Sequence, residues 1–207
     1  MKKRVFSLVI ALAMSLSLLP IAALAAETSK TVDVTSAEEL ANAVTQAGTT
    51  PTTIRLTKDI EGFTTDQIVT IKQDQTLLLD MAGHKISVAS DFQGRPIKNN
   101  GTLTVTGNGT IDSSASTAGG YGAIDNYGVL TIENGTYTGS VDASGASIKN
   151  RPSGVLTIDN GTFNGAVTAV YNEGKAYIYN GEFDCRSCSS CNSNSWGYTI
   201  QSHQASG

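Results

Sequence analysis

The sequence is short of charge, aromatics, proline and cysteine. Charged residues make up 15% of the 207 positions and aromatics 6%, with 4 Pro and 3 Cys. The formal net charge is −4. Nucleic acid and anionic lipid are therefore poor partners, because both call for clustered basic charge. Three cysteines cannot form a self-contained disulfide framework. After the first two dozen residues no apolar run is long enough to span a bilayer. Scarce charge with many small polar residues can signal disorder. Here Ile, Val and Leu recur in short bursts of β type, which points to many strands instead.

The apolar stretch at the start has its own logic. Lys2, Lys3 and Arg4 precede a nearly unbroken apolar run from Val5 to Leu19, and Ala23-Leu24-Ala25 fits the small-x-small rule for signal cleavage. Residues 1–25 read as a signal peptide, with a secreted or cell-surface protein starting near Ala26 and no membrane insertion after cleavage. A retained anchor is the alternative. The only charged side chains of that segment are the basic Lys2, Lys3 and Arg4, so the mature chain is more acidic still.

The central feature is a repeat. Gly101-Thr-Leu-Thr-Val105, Gly128-Val-Leu-Thr-Ile132, Gly154-Val-Leu-Thr-Ile158 and Gly174-Lys-Ala-Tyr-Ile178 align, and each leads into an Asn-Gly pair at Asn108, Asn134, Asn160 or Asn180. The first copy has one extra residue before its pair. A large apolar residue follows each: Ile111, Tyr137, Phe163, Phe183. A second column precedes each Gly, ending in Asn99, Asn126, Asn150 and Asn172, with Ile200-Gln-Ser202 as a degenerate fifth copy.

A unit of roughly two dozen residues holding short alternating strands cannot bury its own apolar face, whereas stacked units can. The spacing suits one turn of a three-sided coil, and the crossover rule makes its winding right-handed. The expected fold is all-β, a right-handed parallel β-helix. Leu103, Leu130, Leu156 and Ala176 should form one inward column, and Val105, Ile132, Ile158 and Ile178 another. The columned asparagines should form a structural ladder and tolerate left-handed corners. Thr31–Val34 reads as a strand. Ser36 and Glu39 form a capping box that opens a short amphipathic helix ending at Gly48, placed to cover the open first coil. The organisation is then a signal segment 1–25, a strand and capping helix within 26–50, and coils over 51–207. The coils stop where a further Gly-led strand should start, which suggests truncation.

The run from Glu38-Glu-Leu-Ala41 through Thr53-Ile-Arg-Leu-Thr-Lys-Asp-Ile60 to Leu77-Leu-Leu-Asp-Met-Ala-Gly-His-Lys-Ile86 resembles the opening of bacterial surface β-helix proteins of the pectin-lyase-like group. The recurrent Asn-x-Gly-x-Leu-Thr-Ile-x-Asn-Gly-Thr-Phe pattern is similar to their later coils. The resemblance implies a β-helix and leaves activity open, since fold alone does not fix function. Its lyases use Arg or Lys as base with carboxylates holding calcium, and its hydrolases use grouped Asp with a nearby Gly-His-Gly. Neither arrangement occurs here. His84 sits in a structural turn and His203 near the last residue. Arg95 and Arg151 precede prolines and read as solvated.

Candidate sites remain. Outward register stacks Thr106, Glu133, Asp159 and Tyr179, so Glu133 and Asp159 are neighbours that could splay into solvent, share a cation such as calcium, or do chemistry. Lys98, Asp125 and Lys149 stack with alternating sign, as in ordinary cross-strand charge pairing. Tyr171, Tyr177 and Tyr179 on the fourth coil, with Trp196 and Tyr198 beyond, would make an exposed aromatic patch fit for sugar rings or an interface. Cys185, Cys188 and Cys191 could form a disulfide, lie inert, or bind metal. The expectation is a non-enzymatic module for adhesion or carbohydrate binding, facing an extracellular glycan or a cell-surface protein. A fragment of a polysaccharide lyase or glycoside hydrolase, and a structural spacer, are the alternatives.

Overall fold

The computed structural model describes residues 29–117, 122–140, 145–185 and 198–202. Residues 1–25, expected to be a signal peptide, and Cys188, Cys191, Trp196 and His203 lie outside these ranges. Strand β1 (Lys30–Val34) leads into helix α1 (Ala37–Ala47). The first coil holds β2 (Thr52–Leu56), β3 (Ile60–Phe63) and β4 (Val69–Ile71); the second holds β5 (Thr76–Asp80), β6 (Lys85–Val88) and β7 (Ile97–Asn99). The third has β8 (Thr102–Thr106), β9 (Thr110–Asp112) and β10 (Ile124–Asn126), and the fourth β11 (Val129–Ile132), β12 (Thr136–Thr138) and β13 (Ala146–Asn150). Then come β14 (Val155–Ile158), β15 (Thr162–Gly165) and β16 (Thr168–Asn172), and last β17 (Lys175–Ile178), β18 (Glu182–Cys185) and β19 (Tyr198–Ser202).

From β2 onward every third strand joins the same sheet, and β1 adds to the edge beside β2. The sheets have 7, 6 and 6 strands, and all their pairings are parallel. The chain is a parallel β-helix with three faces. Face A contains β1, β2, β5, β8, β11, β14 and β17; face B runs from β3 to β18, and face C from β4 to β19.

Register follows the repeat. Leu130 lies between Leu103 and Leu156, and Leu156 pairs with Ala176. Ile132 lies between Val105 and Ile158, and Ile158 pairs with Ile178. Ile132 and Ile158 are fully buried. A one-residue slip would turn each of these side chains out to solvent, at about 1.5–3 kcal/mol apiece. Face B contributes an aromatic stack: the Tyr137 and Phe163 rings lie 5.2 Å apart, and Phe163 and Phe183 5.1 Å apart, nearly parallel.

The corners differ from expectation in one respect. The left-handed backbone falls not on the column of Asn99, Asn126, Asn150 and Asn172 but on glycines of the other corner, with Gly135, Gly161 and Gly181 at φ 110°, 139° and 142°. In the longer first copy Gly107 (88°) and Asn108 (56°) share the turn. A glycine takes these angles without the Cβ clash that penalises other residues.

Helix α1 closes the first coil. The Ser36 hydroxyl accepts from Glu39 N at 3.2 Å. The Glu39 carboxylate reaches one residue further than a capping box requires, accepting from Thr35 N and Thr35 Oγ1, both at 2.7 Å. Leu40, Ala43, Val44 and Ala47 are buried beneath it. Buried Gln75 ties the helix down by donating to the Val44 carbonyl at 2.7 Å.

Candidate ligand-binding surfaces

Face C carries a connected set of outward side chains. Two columns run up it. In the first, Lys98, Asp125, Lys149 and Tyr171 are in register on β7, β10, β13 and β16. In the second, Tyr127, Arg151 and Glu173 each follow a ladder asparagine, and their amides donate to the carbonyls of Asn99, Asn126 and Asn150 in the coil below. The alternating charges do not pair along the first column. Arg151 takes the Asp125 carboxylate with both ends of its fork, Nε to Oδ1 at 2.6 Å and Nη2 to Oδ2 at 2.9 Å. The lysines settle on aromatic rings instead. Lys98 Nζ lies 5.0 Å from the centre of the Tyr127 ring and Lys149 Nζ 4.8 Å from that of Tyr171. The Arg151 guanidinium also approaches the Tyr127 ring, at 5.3 Å. Such contacts are electrostatic attractions to the ring face.

Burial and charge shift these groups. Burial, then repulsion from Arg151, lowers the Lys149 ammonium below its ordinary value. The hydrogen bond to Asp125 raises Arg151. Arg95 is not solvated: it is 6% exposed, and its Nη1 donates to the carbonyls of Ala146 at 2.6 Å and Ser147 at 3.4 Å. Burial lowers its guanidinium to about 10, against the pull of Asp125, so it stays cationic at neutral pH. It reaches past β10 only because residue 122 is glycine. A Cβ on Gly122 would sit 2.2 Å from Arg95 Nη1 and 1.9 Å from the Ala146 carbonyl oxygen.

The expected aromatic patch is divided. Tyr171 is half-buried on face C, while Tyr177 and Tyr179 lie on or just after β17 of face A. These two are open, 52% and 74% exposed. Below Tyr177 in register stand Thr157, Thr131 and Thr104. Beside them Glu133 and Asp159 occupy successive coils and are exposed. The pair supplies two open carboxylates, flanked by Thr106 and Tyr179, toward the 6–8 oxygens that calcium takes. Among the described residues no three His, Cys, Asp or Glu side chains come together.

Inside the coil the asparagine ladder is continuous. Asn99 Nδ2 donates to Asn126 Oδ1 at 2.8 Å, Asn126 to Asn150 at 2.7 Å and Asn150 to Asn172 at 2.7 Å. His84 is held in its turn by Asp59, at 3.1 Å from Nδ1. Cys185 ends β18 opposite Gly165, half-buried, with burial raising its thiol above the usual range.

No family model matches the chain, and no curated protein or solved structure matches it. The fold therefore rests on the coil geometry itself. Among the residues that the repeat pattern alone missed are Tyr127 and the paired state of Arg151. The signal was present: the position after each ladder asparagine is itself a column, reading Asn100, Tyr127, Arg151, Glu173.

Proposed function

We propose that the chain is an exported, non-enzymatic β-helix module of the kind found among bacterial surface proteins of the pectin-lyase-like group, used for adhesion or carbohydrate binding. The observation that carries this reading is the open pair Tyr177 and Tyr179, on one face above a column of threonine hydroxyls. Rings two residues apart on a strand point the same way and lie roughly 7 Å apart, within reach of adjacent sugars. An aromatic ring offers apolar area for the sugar face and a hydroxyl for its edge. Hydroxyls of Thr157 and Thr131 would supply further hydrogen bonds. A glycan array with the mature protein tests the reading. Hits should weaken at least about tenfold in Tyr177→Ala and Tyr179→Ala. An array without hits, or hits indifferent to both changes, leaves the spacer reading in its place.

A second reading, a fragment of a polysaccharide lyase or hydrolase, is favoured by one arrangement: Lys149 stands in register with Asp125, whose carboxylate Arg151 holds. A lysine acting as base there would take the C5 proton of a uronate while the C4–O glycosidic bond breaks and the departing sugar oxygen is protonated, leaving an unsaturated product that absorbs in the ultraviolet. The expected signal on pectin, alginate and xylan is none, with or without calcium. A signal abolished by Lys149→Ala would replace the binding reading with the enzyme.

A further inference from the structure

We propose that face C is a second binding surface, separate from the Tyr177–Tyr179 pair, and that it takes a glycan bearing sulfate or phosphate esters. The chain as a whole is acidic, with a net charge of −4. On this face the cations Lys98, Lys149, Arg151 and buried Arg95 outnumber the carboxylates Asp125 and Glu173. The cations are also held in place. Lys98 and Arg151 approach the same Tyr127 ring, Lys149 lies over Tyr171, and the Arg151–Asp125 pair locks the centre. Lys98, Asp125, Lys149, Tyr127 and Arg151 are all half-buried against one another. Side chains ordered before binding lose little entropy when a ligand arrives.

The same geometry sets the ligand class. Neutral sugars need open ring faces, and the rings of Tyr127 and Tyr171 are already approached by cations. Carboxylates are best clasped side-on by an arginine fork, and the Nε and Nη2 of Arg151 are spent on Asp125. What remains is two ammonium groups, on β7 and β13, strands that lie two coils and so about 10 Å apart. An ammonium is a compact point charge with three donors. It suits a tetrahedral ester anion, which offers oxygens in every direction, and the spacing suits esters on neighbouring sugars of an extended chain.

Dextrans of equal length carrying sulfate, phosphate or carboxymethyl groups at matched density provide the test, with unmodified dextran and duplex DNA alongside. Binding to the mature protein is measured by surface plasmon resonance at several salt concentrations. Sulfated and phosphorylated dextran should bind, and the comparison between them tells which ester is preferred. Carboxymethyl dextran and DNA should bind at least about tenfold more weakly, and unmodified dextran not through this face. Lys98→Gln with Lys149→Gln should remove the ester binding and flatten its salt dependence. Lys30→Gln with Lys58→Gln, which removes the same charge at two exposed sites elsewhere, should keep it. Tyr177→Ala with Tyr179→Ala should also keep it, so failure of the aromatic platform and failure of this surface are distinguishable. Circular dichroism checks that each variant is folded, and Lys98→Gln alone serves if the double variant is not. Equal or tighter binding of the carboxymethyl form or DNA, equal loss in the two lysine pairs, or no ester binding at low salt would overturn the proposal.

Discussion

At the scale of single residues, the stack makes each interior position answer to the coils above and below it. Asn126 shows this best. Its amide donates to Asn150 and to the carbonyls of Gly128 and Val155, and its oxygen accepts from Asn99. Asn126→Leu strands both neighbours in the dry interior. Each buried polar group left unsatisfied costs about 1–3 kcal/mol. The variant should lose several kcal/mol in urea unfolding, whereas Asn180→Ala at an exposed corner should change stability by under about 0.5 kcal/mol. Equal effects would show that the ladder contributes nothing. Gly122→Ala tests a different dependence. The added methyl has no space beside Arg95 and the Ala146 carbonyl, so overpacking of about 1–3 kcal/mol is expected. Neither Arg95 nor Gly122 was legible from the repeat. The Asn and Gly columns are readable because identical neighbours demand identical residues at every turn. Arg95 lies where the coil departs from its repeat, and a side chain spanning from the second coil to the fourth leaves no periodic trace. The Tyr177–Tyr179 pair was legible as outward residues, but its separation from Tyr171 depended on knowing where one face ends and the next begins.

At the scale of elements, turns and caps are pinned by carboxylates, and that predicts a response to acid. Asp59 accepts from the backbone amide of Lys85 and from His84, the amide having the larger effect, and its pKa is lowered. Glu39 is lowered by the Thr35 hydroxyl and then the Thr35 amide. Burial raises Asp112, and the hydrogen bonds from Lys85 and Ser114 together outweigh it, so the net direction is also down. All three therefore bind protons more weakly folded than unfolded. Their stabilisation is fully present above the unfolded carboxylate values, about 4, and is lost as pH falls through the lower folded values. The thermal midpoint should fall between pH 5 and pH 2.5 by more than in Asp59→Asn, which has no carboxylate to protonate there. An equal fall in both proteins would remove Asp59 from the account. The helix was read correctly from Ser36 and Gly48 because caps are local signals. The reach of Glu39 to Thr35 was not, because it depends on how β1 enters the helix.

At the scale of the whole molecule, a solenoid has no single centre. Apart from the Arg95 side chain, which bridges the second and fourth coils, each coil packs on its neighbours, so stability is close to a sum of coil and interface contributions. The two ends are then unequal. Helix α1 and Gln75 close the first coil, and Ile54, Leu79 and Val105 continue the buried column behind it. Toward the other end Ala176, Ile178 and Phe183 are only half-buried. Ile158→Asp places a carboxylate between Ile132 and Ile178 in the column, losing the burial of a large side chain and adding the cost of an uncompensated buried charge, several kcal/mol together. In a protein with one cooperative core that penalty would be felt everywhere. Here it should be felt locally. Hydrogen exchange read by mass spectrometry should show protection lost in β14–β18 and weakened in β11–β13, while amides of β2–β6 exchange as slowly as in the parent. The far-ultraviolet strand signal should fall in part and a thermal transition should remain. Uniform loss of protection along the chain would mean that the coils fold as one unit. Unchanged protection around residue 158 would mean that the column has room for a carboxylate, which a position with no solvent exposure does not offer.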